Sequence, residues 1–88
     1  MTRAEMLYDM GYEDFVLFEN PDYDSAIIGI SDDNRVIYDY DKMVEDLMVT
    51  DGMEWLDAAE FIDYNTIGAY SETPDRDPIV MYRLLDFE

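Results

Sequence analysis

Acidic residues are threaded through this chain from end to end, and the apolar residues fall between them at regular intervals. That interleaving constrains the fold more than any other feature. A disordered acidic segment lacks the apolar residues to build a core. Here 49% of residues are hydrophobic and 15% are aromatic, so the chain reads as a folded domain under an anionic coat. With 23 Asp and Glu against five Lys and Arg, the formal net charge is -18. Such a coat repels nucleic acid, anionic membranes and acidic substrates. It attracts cationic surfaces, above all those of proteins that themselves bind nucleic acid.

At 88 residues the expectation is a single acidic domain, residues 1–88, burying about 60 to 65% of its unfolded surface. Cysteine and histidine are both absent. No disulfide or thiol chemistry is available, and the commonest general base and metal ligand is missing. Met1 is followed by Thr-Arg-Ala-Glu rather than an apolar leader, and no apolar run approaches the length of a membrane span. A cytoplasmic protein is expected. Crowding of carboxylates should favour their protonated forms, so stability from this source is expected at low pH and lost as pH rises.

Thr2-Arg3-Ala4-Glu5 is a capping box, which predicts a helix from about Arg3 to Met10 closed by Gly11. Phe15–Phe18 is a short β-rich run before the Asn20-Pro21 turn. Ala26–Ile30 and Val36–Tyr38, joined by Ser31–Arg35, predict a hairpin. The period then lengthens to about 3.6: Met43, Val44, Leu47 and Met48 share a stripe with Asp41 as N-cap, and Thr50-Asp51-Gly52 ends that helix. A third helix, from about Met53 to Tyr64 with Asp51 as cap, places Trp55, Ala58, Ala59 and Ile62 within about 100° of arc. Trp55 is therefore expected in the core. A polar loop over residues 71–78 precedes a last strand, Ile79–Leu85. The order predicts an α+β fold, a small antiparallel sheet of three to four strands with about three helices on one face.

No motif for catalysis survives inspection. Acyl transfer needs His or Cys, and the four glycines are isolated, so no phosphate cradle forms. Close carboxylate pairs arise by chance in so acidic a chain, and a nuclease would need basic surface. A calcium loop starting at Asp22 lacks its third ligand and its central Gly. No enzyme, cofactor or metal site is expected.

The third helix carries Glu54, Asp57, Glu60 and Asp63 opposite its apolar stripe, with no base among them. Ordinary solvated faces mix signs. Alternate residues of a strand lie about 6.6 Å apart, comparable to the spacing of successive phosphates. Asp22/Asp24 and Asp39/Asp41 thus resemble short phosphate rows if extended. Asp32 and Asp33 at the hairpin tip, with Glu45 and Asp46 on the second helix, complete the candidate contact residues. Tyrosines 23, 38, 40 and 64 interleave these acids; Tyr38 and Tyr64 are expected half-buried, and exposed ones could stack on a partner's Arg.

The stretches Ala26–Asp32, Val36–Val44, Asp51–Met53 and Glu60–Ile67 resemble a family of small acidic proteins carried by phages and mobile elements of Gram-positive bacteria. The resemblance covers most of the chain. It departs after Asn65-Thr66-Ile67, where similar sequences continue Arg-Ala-Leu-Pro and this one has Gly68-Ala69-Tyr70. It implies context: small acidic phage proteins often inhibit host defence by occupying a nucleic-acid channel, as several anti-CRISPR and anti-restriction proteins do. The expectation is a nucleic-acid mimic that inhibits a basic groove of a CRISPR effector or restriction enzyme in the bacterial host cell. It would touch neither nucleic acid nor membrane. The alternative is an intracellular adaptor or regulatory subunit that docks on a protein through an apolar patch.

Overall fold

The computed structural model describes residues 1–68 and 73–84. Helix α1, Arg3–Asp9, starts with all four of its leading amides satisfied by side chains. Thr2 Oγ1 accepts from the Glu5 amide at 3.1 Å and Glu5 Oε1 accepts from the Thr2 amide at 2.8 Å. The Arg3 and Ala4 amides donate to the two carboxylate oxygens of Asp24, at 2.9 and 3.1 Å. The capping box is local, and Asp24 arrives from 20 residues away. The chain leaves the helix through Gly11 at φ +99°.

Phe15–Phe18 does not form a strand. Asp14 and Asn20 adopt left-handed φ on either side of it, and Phe15 is buried. The Phe18 amide donates to the Tyr38 hydroxyl at 3.2 Å rather than to a neighbouring strand, and the Phe18 and Tyr38 rings lie 4.6 Å apart.

Strands β1, Ile27–Ile30, and β2, Val36–Asp39, pair antiparallel as the hairpin pattern predicts, with a bulge between Ile27 and Gly29. Asn34, at φ +67°, makes the turn. Helix α2, Tyr40–Asp51, follows β2 without a linker, and its N-cap is Asp39 rather than Asp41: Asp39 Oδ1 accepts from the Asp41 amide at 3.1 Å. Gly52, at φ +68°, ends it. Helix α3, Trp55–Phe61, begins two residues later than its sequence signal, behind Glu54. It runs into a π turn, Ile62–Ile67.

Gly68 closes that turn with its amide 2.9 Å from the Asp63 carbonyl. A Cβ on Gly68 would lie 2.7 Å from the same oxygen, so a larger residue here would require the backbone of the turn to shift. Ala69 and Tyr70 fall outside the described residues, as do Leu85 of the expected last strand and residues 71 and 72 of the expected loop.

Strand β3, Ile79–Met81, pairs with β2 in parallel, giving a three-stranded mixed sheet of order β1-β2-β3. The small sheet and three helices make an α+β fold, and the expected all-antiparallel pairing is corrected at β3. A parallel pair needs a long crossover, and α2, α3 and the π turn supply it. Val36 and Tyr38 of β2 are wholly buried, packed in a core with Met43, Val44 and Leu47 of α2 and Ala58 and Ile62 of the third helical segment.

Trp55 is not part of this core. Ala58, Ala59 and Ile62 confirm the helical phase, yet Trp55 is 52% exposed, because the stripe outruns the core at the first turn of α3. Trp55→Ala is therefore expected to cost about 1 kcal/mol, the scale of a half-exposed site, instead of the roughly 3 to 5 kcal/mol of a buried aromatic. Urea denaturation measures it, and a loss of several kcal/mol would place the indole inside.

Candidate interaction surface

The acids divide into those the fold consumes and those it leaves to solvent. Asp39 is only 5% exposed: besides capping α2 it accepts from Arg83 Nη2 at 2.7 Å and Nε at 3.0 Å. Arg83 Nε also lies 3.5 Å from Asp41 Oδ2. The hydrogen bond to Asp39 and the nearby acids push the Arg83 pKa upward. Asp24 is committed to α1, and Asp22 Oδ1 accepts from the Asp24 amide at 3.1 Å.

Neither strand-like row exists. Tyr23, between Asp22 and Asp24, is left-handed at φ +48°, and Asp39/Asp41 straddles the end of β2 and the start of α2. Asp39 and Asp24 thus leave the candidate contact set, since their carboxylates already hold the fold together. Asp41 and Asp46 are half-buried, while Asp22 and Glu45 are exposed, Glu45 lying 3.4 Å from Lys42. At the hairpin tip Asp32 and Asp33 are exposed, and Asp33 leans on Ser31 and Arg35.

The row on α3 and the π turn stands out. Glu54, Asp57, Glu60 and Asp63 all face solvent. Asp63 also accepts from the Tyr40 hydroxyl at 3.1 Å. All five bases of the chain are engaged elsewhere. Arg3 Nη1 donates to the Ile27 carbonyl at 3.0 Å, Arg35 Nε to the Asp77 carbonyl at 2.7 Å, and Arg76 to the Asp14 carbonyl. Arg83 and Lys42 hold the partners already named. The arginines act as clamps between segments remote in sequence, and among the described residues no Lys or Arg pairs with an acid of the α3 row.

The tyrosines sort differently from expectation. Tyr23 and Tyr38 are wholly buried, the Tyr23 and Thr66 hydroxyls hydrogen-bonding at 2.9 Å. Tyr64, expected half-buried, is 80% exposed. Leu56, also on α3, is largely exposed. Both lie off the Trp55, Ala58, Ala59, Ile62 stripe, a signal present in the sequence; the exposure of Trp55 had none.

Titration behaviour follows from these contacts. The Glu5 carboxyl is held below its usual value by its bonds from the Thr2 backbone amide and hydroxyl, opposite to the rise expected of crowded acids. Its contribution is present above the unfolded value and lost as pH falls through the folded one. Burial first, then the bond to Asp63 and nearby charge, push Tyr40 up to about 12, and burial pushes Tyr38 up to about 12. An unfolded chain would ionise these phenols from about pH 10. Their folded-state pKa being raised, the stability they confer is complete below that pH and lost as pH rises toward 12. We expect alkaline unfolding in that interval, with tyrosinate absorbance and loss of far-ultraviolet circular dichroism appearing together. Full tyrosinate absorbance on an intact fold would place both phenols in water.

Among the described residues no group of His, Cys, Asp or Glu is arranged to hold a metal ion, and no helix is long and apolar enough to cross a membrane. No family model matches the chain, and neither a curated protein nor a solved structure matches it.

Proposed function

We propose that this chain is a non-enzymatic inhibitor that mimics nucleic acid and occupies a basic groove of a bacterial defence complex, a CRISPR effector or a restriction enzyme. One observation carries the reading. The row Glu54, Asp57, Glu60 and Asp63, running from the N-cap of α3 through the helix into the π turn, is exposed and contains no base, while every Lys and Arg of the chain is engaged elsewhere. Acids held on ordered backbone, as Asp57 and Glu60 are in α3, cost little reorganisation on binding. The exposed Trp55 and Tyr64 add flat surfaces on which a partner's guanidinium groups can stack. The hairpin-tip acids Asp32 and Asp33 extend the negative field.

The test is affinity capture from a Gram-positive bacterial lysate with the immobilised chain, followed by elution with the nucleic acid the captured protein binds. Release of a nucleic-acid-binding protein by its own ligand supports mimicry. A captured protein that stays bound with its nucleic acid also in place would favour an adaptor instead.

A further inference from the structure

A groove of about 350 Å³ runs between α1 and β1. Residues 3, 6, 7 and 10 form one stripe of the helix, and Met6 and Met10 of that stripe make one wall. Leu7 and Ile27, both buried, make the floor, and Ile28 lies on the strand side. Met6, Met10 and Ile28 are 49, 69 and 48% exposed, an apolar lining left to water on an outer strand of the sheet.

Gly29 sits in the strand wall. Glycine weakens a strand interior and often marks a place where another chain comes close. A bulge adjoins it, but its φ lies outside the left-handed region, and a Cβ there would meet nothing within 4 Å. Neither backbone geometry nor internal packing demands glycine at this point, and Gly29 is one of the residues that line the groove.

Charge decides the occupant. A second copy of the chain would bring another net charge of -18, and nucleic acid or anionic lipid is repelled in the same way. The elements beside the groove carry exposed Glu5 and Asp9 on α1 and Asp32 and Asp33 after β1, while Arg3 at its rim gives Nη1 to the Ile27 carbonyl. Methionine walls adapt to varied apolar side chains. We propose that the α1/β1 groove docks a short peptide segment of a partner protein, with apolar side chains in the groove and Lys or Arg on its flanks. The site shares no residue with the α3 row.

Fluorescence anisotropy with a short labelled peptide of alternating Leu and Lys tests this. Two control peptides replace Leu by Ser or Lys by Glu. The Leu/Lys peptide is expected to bind, each control to bind at least about tenfold more weakly, and Gly29→Val to weaken the Leu/Lys peptide by about tenfold or more while circular dichroism stays native. Met6→Ser/Met10→Ser, at exposed positions, reads the same loss should Gly29→Val fail to fold. The chain neutralised at Glu54, Asp57, Glu60 and Asp63 should still bind the peptide, which separates this site from the mimicry reading. Equal binding of the Ser/Lys control, unchanged binding by folded groove variants, binding of the Leu/Glu peptide, or a dimer that Gly29→Val dissolves would each overturn the proposal.

Discussion

Replacing Glu54, Asp57, Glu60 and Asp63 together by Gln or Asn is expected to leave the fold intact and to weaken binding of the basic partner by roughly 2 to 4 kcal/mol. That is about 30- to 1,000-fold in Kd, at about 0.5 to 1 kcal/mol for each exposed charge pair. All four side chains face solvent, so no buried group loses a partner. Asn at 63 keeps an acceptor for the Tyr40 hydroxyl, which donates to Oδ1. The melting temperature should hold or rise, because neutralisation relieves repulsion within the row. Most of the loss should fall on the association rate, which long-range attraction controls. A folded quadruple variant that binds as well as the parent would move the contact to Asp32 and Asp33 at the hairpin tip or to Asp41, Glu45 and Asp46 on α2.

The second large effect is on stability. Leu47 is wholly buried between α2 and the rest of the core, and Leu47→Ala is expected to cost about 2 to 5 kcal/mol. A domain of this length has roughly 4 to 13 kcal/mol in all, so the substitution removes a large share of the total and should move the urea midpoint down clearly. Set beside Trp55→Ala, it tests which apolar residues of the helices are inside. Similar losses for the two would contradict the orientation of α3.

Local chemistry was legible in the sequence, and long-range chemistry was not. The capping box of Thr2 and Glu5, the Ser31–Arg35 turn, the stops at Gly11 and Gly52 and the buried faces of α2 and α3 all arise from residues a few positions apart. Each carries its own geometric signature. That Asp24 would cap α1 from 20 residues away, or that Arg83 would find Asp39 across 44, depends on how distant segments meet. An Asp can be read as a good cap without its helix being known.

The same holds for β3, whose apolar run gives no direction of pairing, and for Phe15–Phe18. That run has strand composition, but β2 is already flanked by β1 and β3, and Phe18 gives its amide to Tyr38. The candidate surface shows this division too. Asp57 and Glu60 were legible because helical phase decides which side of α3 they occupy, and Glu54 and Asp63 flank them just outside the α-helix. Asp39 and Asp24 looked equivalent to those acids until their distant partners were found.

The most direct test of mimicry is the salt dependence of partner binding, measured with and without the partner's own nucleic acid. Affinity should fall steeply between about 50 and 200 mM NaCl, because salt screens the attraction between exposed charges, and nucleic acid should compete for the same groove. A Kd unchanged across that range, with chain and nucleic acid bound to the partner at once, would contradict it.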